Sequence, residues 1–171
     1  QGTFHEAINI GASFNLPVVY VCENNLYGVS TYQGKVRKVA DIADRAKAYG
    51  IEGVIVDGND VEAVKKAGEE AIAKAREGGG PTLIECKTYR HYTHFVGEPD
   101  NYRPKEEVLE WMEKDPLKVY GERLIGQGMA TKEKLDDILN EVNEEVAAAV
   151  AYAENSPKAS PDTVFDDVYA N

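Results

Sequence analysis

The sequence predicts an α/β fold: a parallel sheet with flanking helices, followed by a helical C-terminal region and an extended tail. Three observations predict it. Short β-branched runs at residues 18–22, 53–58 and 82–86 do not alternate apolar with polar, as befits strands buried on both faces. Segments with helical spacing separate these runs, which implies right-handed crossovers and parallel strands. Beyond residue 103 only helical patterns recur. Residues 1–103 therefore form the α/β part, and residues 104–171 a helical region and docking tail of the same unit.

Thr3 and Glu6 have the spacing of a capping box, so a helix is expected to run from there to Phe14. Its small residues, Ala7, Gly11, Ala12 and Ser13, let it lie close against a neighbour. Leu16-Pro17 breaks it before the first strand. Residues 23–38 are polar and read as a loop. Asp41 caps a helix that ends at Tyr49 and Gly50. After the second strand Asp60 caps a helix with Val61, Val64, Gly68, Ala71, Ile72 and Ala75 on one face. Gly78, Gly79, Gly80 and Pro81 end it before the third strand. Residues 87–103 are a long polar and aromatic loop, a length usually tied to function or disorder. Helices follow at 104–114, 116–125 and 131–154. The last carries Leu135, Ile138, Leu139, Val142, Val146, Val150 and Ala153 as one stripe. The tail, with Val164, Phe165, Val168 and Tyr169, reads as an arm that docks on a partner. The first apolar run resembles the middle of a fold, so the chain is expected to be one part of a longer or split protein.

Composition narrows the function. Of 171 residues, 43% are hydrophobic and 29% charged, the profile of a globular protein. Thirty acidic residues against 19 basic ones give a net charge of −11, which repels nucleic acid. No apolar stretch nears the roughly 20 residues of a membrane helix, and no secretory signal is visible. Cys22 and Cys86 lie in apolar runs and read as buried thiols of a reducing compartment, so a cytoplasmic location is expected. Their spacing does not match a zinc site.

Two loops could carry chemistry, both following a strand, where α/β sheets bind ligands. The first is Glu23-Asn24-Asn25-Leu26-Tyr27-Gly28. Its carboxamides offer neutral oxygens to a hard cation such as Mg²⁺, or they satisfy the backbone of a polar turn. The second spans Lys87 to Arg103. Lys87, Arg90 and Arg103 suit a phosphate or carboxylate, and His94 could move a proton near neutral pH. The alternative is a solvated loop whose charges pair with Glu98 and Asp100. His5 and Glu6 could face a ligand, although Glu6 also suits the cap. Trp111 and Met112 read as packing.

Taken together, Gln1-Gly2-Thr3-Phe4-His5-Glu6-Ala7 with Asn9, Leu16-Pro17, Cys22-Glu23-Asn24-Asn25 with Tyr27-Gly28, Thr88-Tyr89-Arg90, His94 and Tyr102-Arg103 carry a family resemblance. The sequence closely resembles the C-terminal part of the alpha subunit of thiamine-diphosphate-dependent 2-oxo acid and acetoin dehydrogenases. Residues 1–103 would then be the C-terminal part of the thiamine-diphosphate-binding domain. The resemblance implies thiamine diphosphate and Mg²⁺ as cofactors. Asn25 would give its side-chain oxygen and Tyr27 its backbone carbonyl to the metal. The Asp of the family's Gly-Asp-Gly would belong to an N-terminal part of the alpha subunit. Arg90 and His94 match the loop that closes over the cofactor. Arg90 would order that loop, and His94 would approach the diphosphate and act in catalysis.

The implied partners are that N-terminal part, a beta subunit that supplies the carboxylate activating the cofactor, and a lipoyl acyltransferase core. The implied reaction is cleavage of acetoin or decarboxylation of a 2-oxo acid such as pyruvate, with the two-carbon unit passed to a lipoyl group. His94-Phe95-Val96-Gly97 resembles the acetoin-type loop and has no phosphorylatable Ser beside the histidine. Two alternatives remain at this level: a truncated, non-catalytic assembly protein, and half of a transketolase.

Overall fold

The structure is a computed structural model that describes residues 2–169; Gln1, Ala170 and Asn171 lie outside the described residues. The described residues form two compact units, divided after Arg123.

The first unit opens with α1 (Gly2–Ser13), then β1 (Val19–Asn24) and a small hairpin of β2 (Tyr27–Gly28) and β3 (Thr31–Tyr32). A 3₁₀ helix over Ile42–Tyr49 precedes β4 (Glu52–Asp57), α2 (Val61–Arg76) and β5 (Thr82–Lys87). Helix α3 (Lys105–Met112) follows, and then α4 (Pro116–Gly126), within which the first unit ends. The sheet has the order β1-β5-β4, with both pairings parallel. The expected α/β class, parallel sheet and flanking helices are all present.

Side chains of β5 alternate between two cores. Ile84 and Cys86 pack against Ala67 and Ala71 of α2, with Val19, Val54 and Val56 beside them. Leu83 points the other way, onto Ile8 of α1 and Ala46 of the 3₁₀ helix. Only β5 is buried on both faces. The expectation of double burial fails for the flanking strands, where Val21 of β1 is 62% exposed and Ile55 of β4 is 46% exposed. Edge position in the sheet is the reason.

Capping follows the sequence in part. The Asp60 side chain accepts from the amides of Glu62 and Ala63 at 3.0 and 3.1 Å, as expected. Gly50 closes the 3₁₀ helix with φ 69°. Two expectations are corrected. Thr3 lies inside α1, so it is no N-cap and no box forms with Glu6, which is exposed. Asp41 makes no side-chain cap bond because Lys87 holds its carboxylate. The buried stripe of α2 is narrower than expected: Ala67, Ala71 and Ala75 are buried, whereas Val61 and Ile72 remain exposed. Small residues let α2 sit close on the sheet.

The second unit contains α5 (Lys132–Asn155), capped by Thr131, whose hydroxyl accepts from Lys134 at 3.2 Å. Its stripe of Ile138, Leu139, Val142, Val146 and Val150 is exposed. Within the tail, Pro161–Thr163 forms a 3₁₀ turn, which Ser160 caps through the amide of Asp162. No helix among the described residues is long and apolar enough to cross a membrane.

Gly53 fits because β4 approaches the 3₁₀ helix closely: a Cβ there would lie 2.3 Å from the Ala43 carbonyl oxygen. Gly53→Ala should therefore destabilise the chain by about 1–3 kcal/mol, the usual cost of overpacking. A thermal melt of the two proteins measures this, and an unchanged midpoint would contradict the packing described.

Candidate functional site

Parallel pairing sets the geometry of the site. Asn24, the last residue of β1, is in register with Lys87, the last of β5, which is in register with Asp57, the last of β4. Both loops singled out from sequence therefore leave neighbouring strands at the same end of the sheet. The Thr88 amide donates to the Asn24 carbonyl at 3.0 Å and secures that junction.

The first loop rests on a buried carboxylate. Glu85 has no exposed surface, and its Oε1 accepts from the Asn24 side-chain amide at 2.6 Å. Its Oε2 accepts from the Ala43 amide at 2.8 Å, at the start of the 3₁₀ helix. Asn24 Oδ1 in turn accepts from Leu26 at 3.3 Å, and Asn25 Oδ1 accepts from Tyr27 at 3.2 Å. Both asparagines thus satisfy the backbone of a tight turn. Leu26 and Val29 hold φ values of 72° and 54°, which side chains other than Gly seldom adopt. These two residues bracket Tyr27 and Gly28.

The second loop separates its cations. Lys87 pairs with Asp41. The Arg103 side chain is buried and pairs with Asp100 at 2.6 Å, and it also donates to the carbonyls of Arg90 and His91. That ion pair holds the Asp100 carboxyl below its ordinary range. Arg103 thus behaves as a self-paired loop would, whereas Lys87 pairs outside the loop. Arg90 differs, since none of its described partners is a carboxylate. It donates to the Val29 carbonyl at 2.7 Å, the Tyr102 hydroxyl at 2.8 Å and the Tyr92 carbonyl at 3.1 Å, and lies 3.3 Å from His94 Nδ1. Glu98 holds the His94 amide at 2.7 Å and accepts from Tyr102 at 3.2 Å.

Two cavities meet at Asn25. One, of about 440 Å³, is lined by Phe4, His5, Asn25, Tyr27, Arg37 and Arg45 among others. The second, of about 380 Å³, is lined by Asn25, Thr88, Tyr89 and Arg90, with Glu23 common to both. The structure therefore brings Asn25, Tyr27 and Arg90 together. His94 is exposed, lines neither cavity, and reaches the group only through Arg90. His5 hydrogen-bonds Tyr49 on the rim of the first cavity. Both cysteines are free thiols, and burial pushes their pKa values up, against a reactive role.

The donor set suits a hard divalent cation in kind. A carbonyl oxygen has two lone pairs, so Asn25 Oδ1 keeps one beyond its bond to Tyr27. The set brings no charge, and no group of three His, Cys, Asp or Glu side chains able to hold a metal occurs among the described residues. Asn25 and Tyr27 can therefore serve as two ligands of a larger shell, not as a complete cage.

Sequence reasoning missed two residues that hold this arrangement. Glu85 had a signal, a lone carboxylate inside an apolar strand. Glu107 had none: it lies on α3, yet its Oε1 accepts from the hydroxyls of both Tyr27 and Tyr89, at 2.9 and 2.8 Å. Trp111 packs as expected, stacked on Tyr89 with ring centres 5.4 Å apart. Burial and the Glu107 hydrogen bond push the Tyr27 pKa up to about 12.

These features define a class. The chain belongs to the dehydrogenase E1 component family, whose model matches residues 1–162. Among curated relatives, it is 46% identical over its whole length to the alpha subunit of acetoin:2,6-dichlorophenolindophenol oxidoreductase of Bacillus subtilis, covering 51% of that protein. It is 43% identical to the 2-oxoisovalerate dehydrogenase alpha subunit of the same organism, over 99% of this chain and 52% of that one. It is 37% identical to the pyruvate dehydrogenase E1 component alpha subunit of Rhizobium meliloti, over 98% of this chain and 49% of that one. The chain thus spans about half the length of these relatives.

Two tests follow. Glu85→Ala leaves two buried donors without an acceptor and should lower stability by roughly 2–5 kcal/mol, measured by urea unfolding. Glu85→Gln keeps an acceptor and should lose less. For Tyr27 the folded pKa lies above the ordinary value of 10.0. Its contribution to stability is therefore complete below pH 10 and is lost as pH rises through about 12. Tyr27→Phe should flatten that part of the stability–pH curve.

Proposed function

We propose that this chain is part of the alpha subunit of a thiamine-diphosphate-dependent dehydrogenase, in which it forms one wall of the cofactor site. The observation that carries this reading is the meeting of Asn25, Tyr27 and Arg90 at the carboxyl ends of β1 and β5, around two adjoining cavities. Asn25 Oδ1 and the Tyr27 carbonyl hold Mg²⁺, and a charged ligand comes from the Gly-Asp-Gly segment of an N-terminal part of the alpha subunit. Thiamine diphosphate supplies the electron sink for cleaving the bond next to a carbonyl.

This chain's own residues position and shield. Arg90 ties the second loop to the first through the Val29 carbonyl, so both loops keep one spacing. It also orients the His94 ring through Nδ1. His94 stays outside both cavities in this arrangement, and its part in catalysis requires the 88–103 loop to bring it towards the cofactor. Acetoin is the favoured substrate, supported by the His94-Phe95-Val96-Gly97 loop and by the names of two relatives at 46% and 43% identity. Pyruvate and branched 2-oxo acids follow. A beta subunit and a lipoyl acyltransferase core complete the assembly, and the exposed stripe of α5 suits such docking.

Calorimetric titration of the assembled alpha subunit with Mg²⁺ and thiamine diphosphate tests the reading. Asn25→Ala should weaken cofactor binding about 10–100-fold, the usual range when a metal site loses a supporting group. Equal binding by variant and parent would overturn the assignment. Full activity of the variant with acetoin would instead point to a non-catalytic assembly role.

A further inference from the structure

We infer that Glu107 is a positioning residue that couples the two loops of the site, so that the 23–28 turn and the 88–103 loop take up their arrangement together. The inference rests on the cofactor reading above only for its functional consequence. Its structural basis is one oxygen. Glu107 Oε1 accepts the Tyr27 hydroxyl at 2.9 Å and the Tyr89 hydroxyl at 2.8 Å. Tyr27 follows Asn25 by two residues and its amide is held by Asn25 Oδ1. Tyr89 directly precedes Arg90. A shift of α3 therefore moves a proposed metal ligand and the arginine that ties the two loops together at once.

The surroundings make that oxygen a firm pivot. Tyr89 is buried, at 6% exposure, and stacks on Trp111, one helical turn beyond Glu107 on α3. Tyr27 and Tyr89 meet edge to face with centres 6.1 Å apart. The Arg103 guanidinium lies over Tyr89 at 5.4 Å and over Tyr102 at 5.5 Å. A hydroxyl bound to a carboxylate forms a stronger hydrogen bond than one bound to a neutral acceptor. The coupling through this oxygen is geometric: both hydroxyls fix the orientation of one carboxylate, so losing one tyrosine lets that carboxylate turn and shifts the acceptor of the other.

Hydroxyl deletions test the coupling without disturbing packing. In the chain within its native assembly, amide hydrogen exchange is followed in segments 23–29 and 88–103 for Tyr27→Phe, Tyr89→Phe, Glu107→Gln and Glu107→Ala. Tyr27→Phe should speed exchange in 88–103, and Tyr89→Phe should speed it in 23–29, each about tenfold. Glu107→Ala should loosen both segments together, with Glu107→Gln falling between it and the parent. Effects confined to the mutated residue's own segment would overturn the inference, and so would an unchanged pattern in Glu107→Ala. Should Glu107→Ala fail to fold, the two tyrosine variants decide alone. Binding of Mg²⁺ and thiamine diphosphate is measured on the same proteins. A parent that shows the coupling and binds no cofactor would refute the proposed function and leave the coupling standing. A parent that binds, with Glu107→Gln weakened about tenfold, supports both.

Discussion

A carboxylate buried without a cation is costly unless its lone pairs are filled. Glu85 offsets that cost with one donor on each oxygen, the Asn24 side chain on Oε1 and the Ala43 amide on Oε2. One satisfies the end of β1, the other the start of the 3₁₀ helix. Neither donor can leave without exposing the cost of the charge. The position of the Asn24-Asn25 turn over the sheet is thus a condition of burying Glu85, and the site inherits its rigidity from the middle strand.

An acidic chain that is to hold an anion must first keep its own carboxylates away from the cations of the site. Here the separation is local. Asp41 takes Lys87 and Asp100 takes Arg103. Glu98 is occupied by a backbone amide and the Tyr102 hydroxyl. Arg90 is left among carbonyl and hydroxyl oxygens, which orient a guanidinium without cancelling its charge. One carboxylate does remain: Glu23 lines both cavities, beside Arg37 and Arg45 in the first and Arg90 in the second.

The order and class of elements could be read from the chain because β-branched runs, Asp60, Gly50 and Thr131 act within a few residues of their own position. The same reading placed Asn25, Tyr27 and Arg90, since parallel pairing puts strand ends side by side. It stumbled where a distant partner intervened. Asp41 looks like a cap until Lys87 claims it. Val21 and Ile55 look like core until the strand order leaves them at edges. Glu107 was invisible, because its two partners lie 80 and 18 residues away and nothing in a short helix marks it. His94 shows the opposite limit. Its place in the loop was legible, but its distance from the cavities was not.

Leu26 and Val29 hold left-handed backbone at the two ends of the Tyr27–Gly28 strand. Such conformations cost on the order of 1–3 kcal/mol each in residues with a Cβ. Glycine at either position would relax that cost, and the gain would exceed the few tenths to 1 kcal/mol of added chain entropy. Thermal hardiness and turn shape therefore select in opposite directions at these two residues. A library of variants screened only for heat resistance would drift towards glycine there, and would return proteins that melt later while presenting Tyr27 less uniformly.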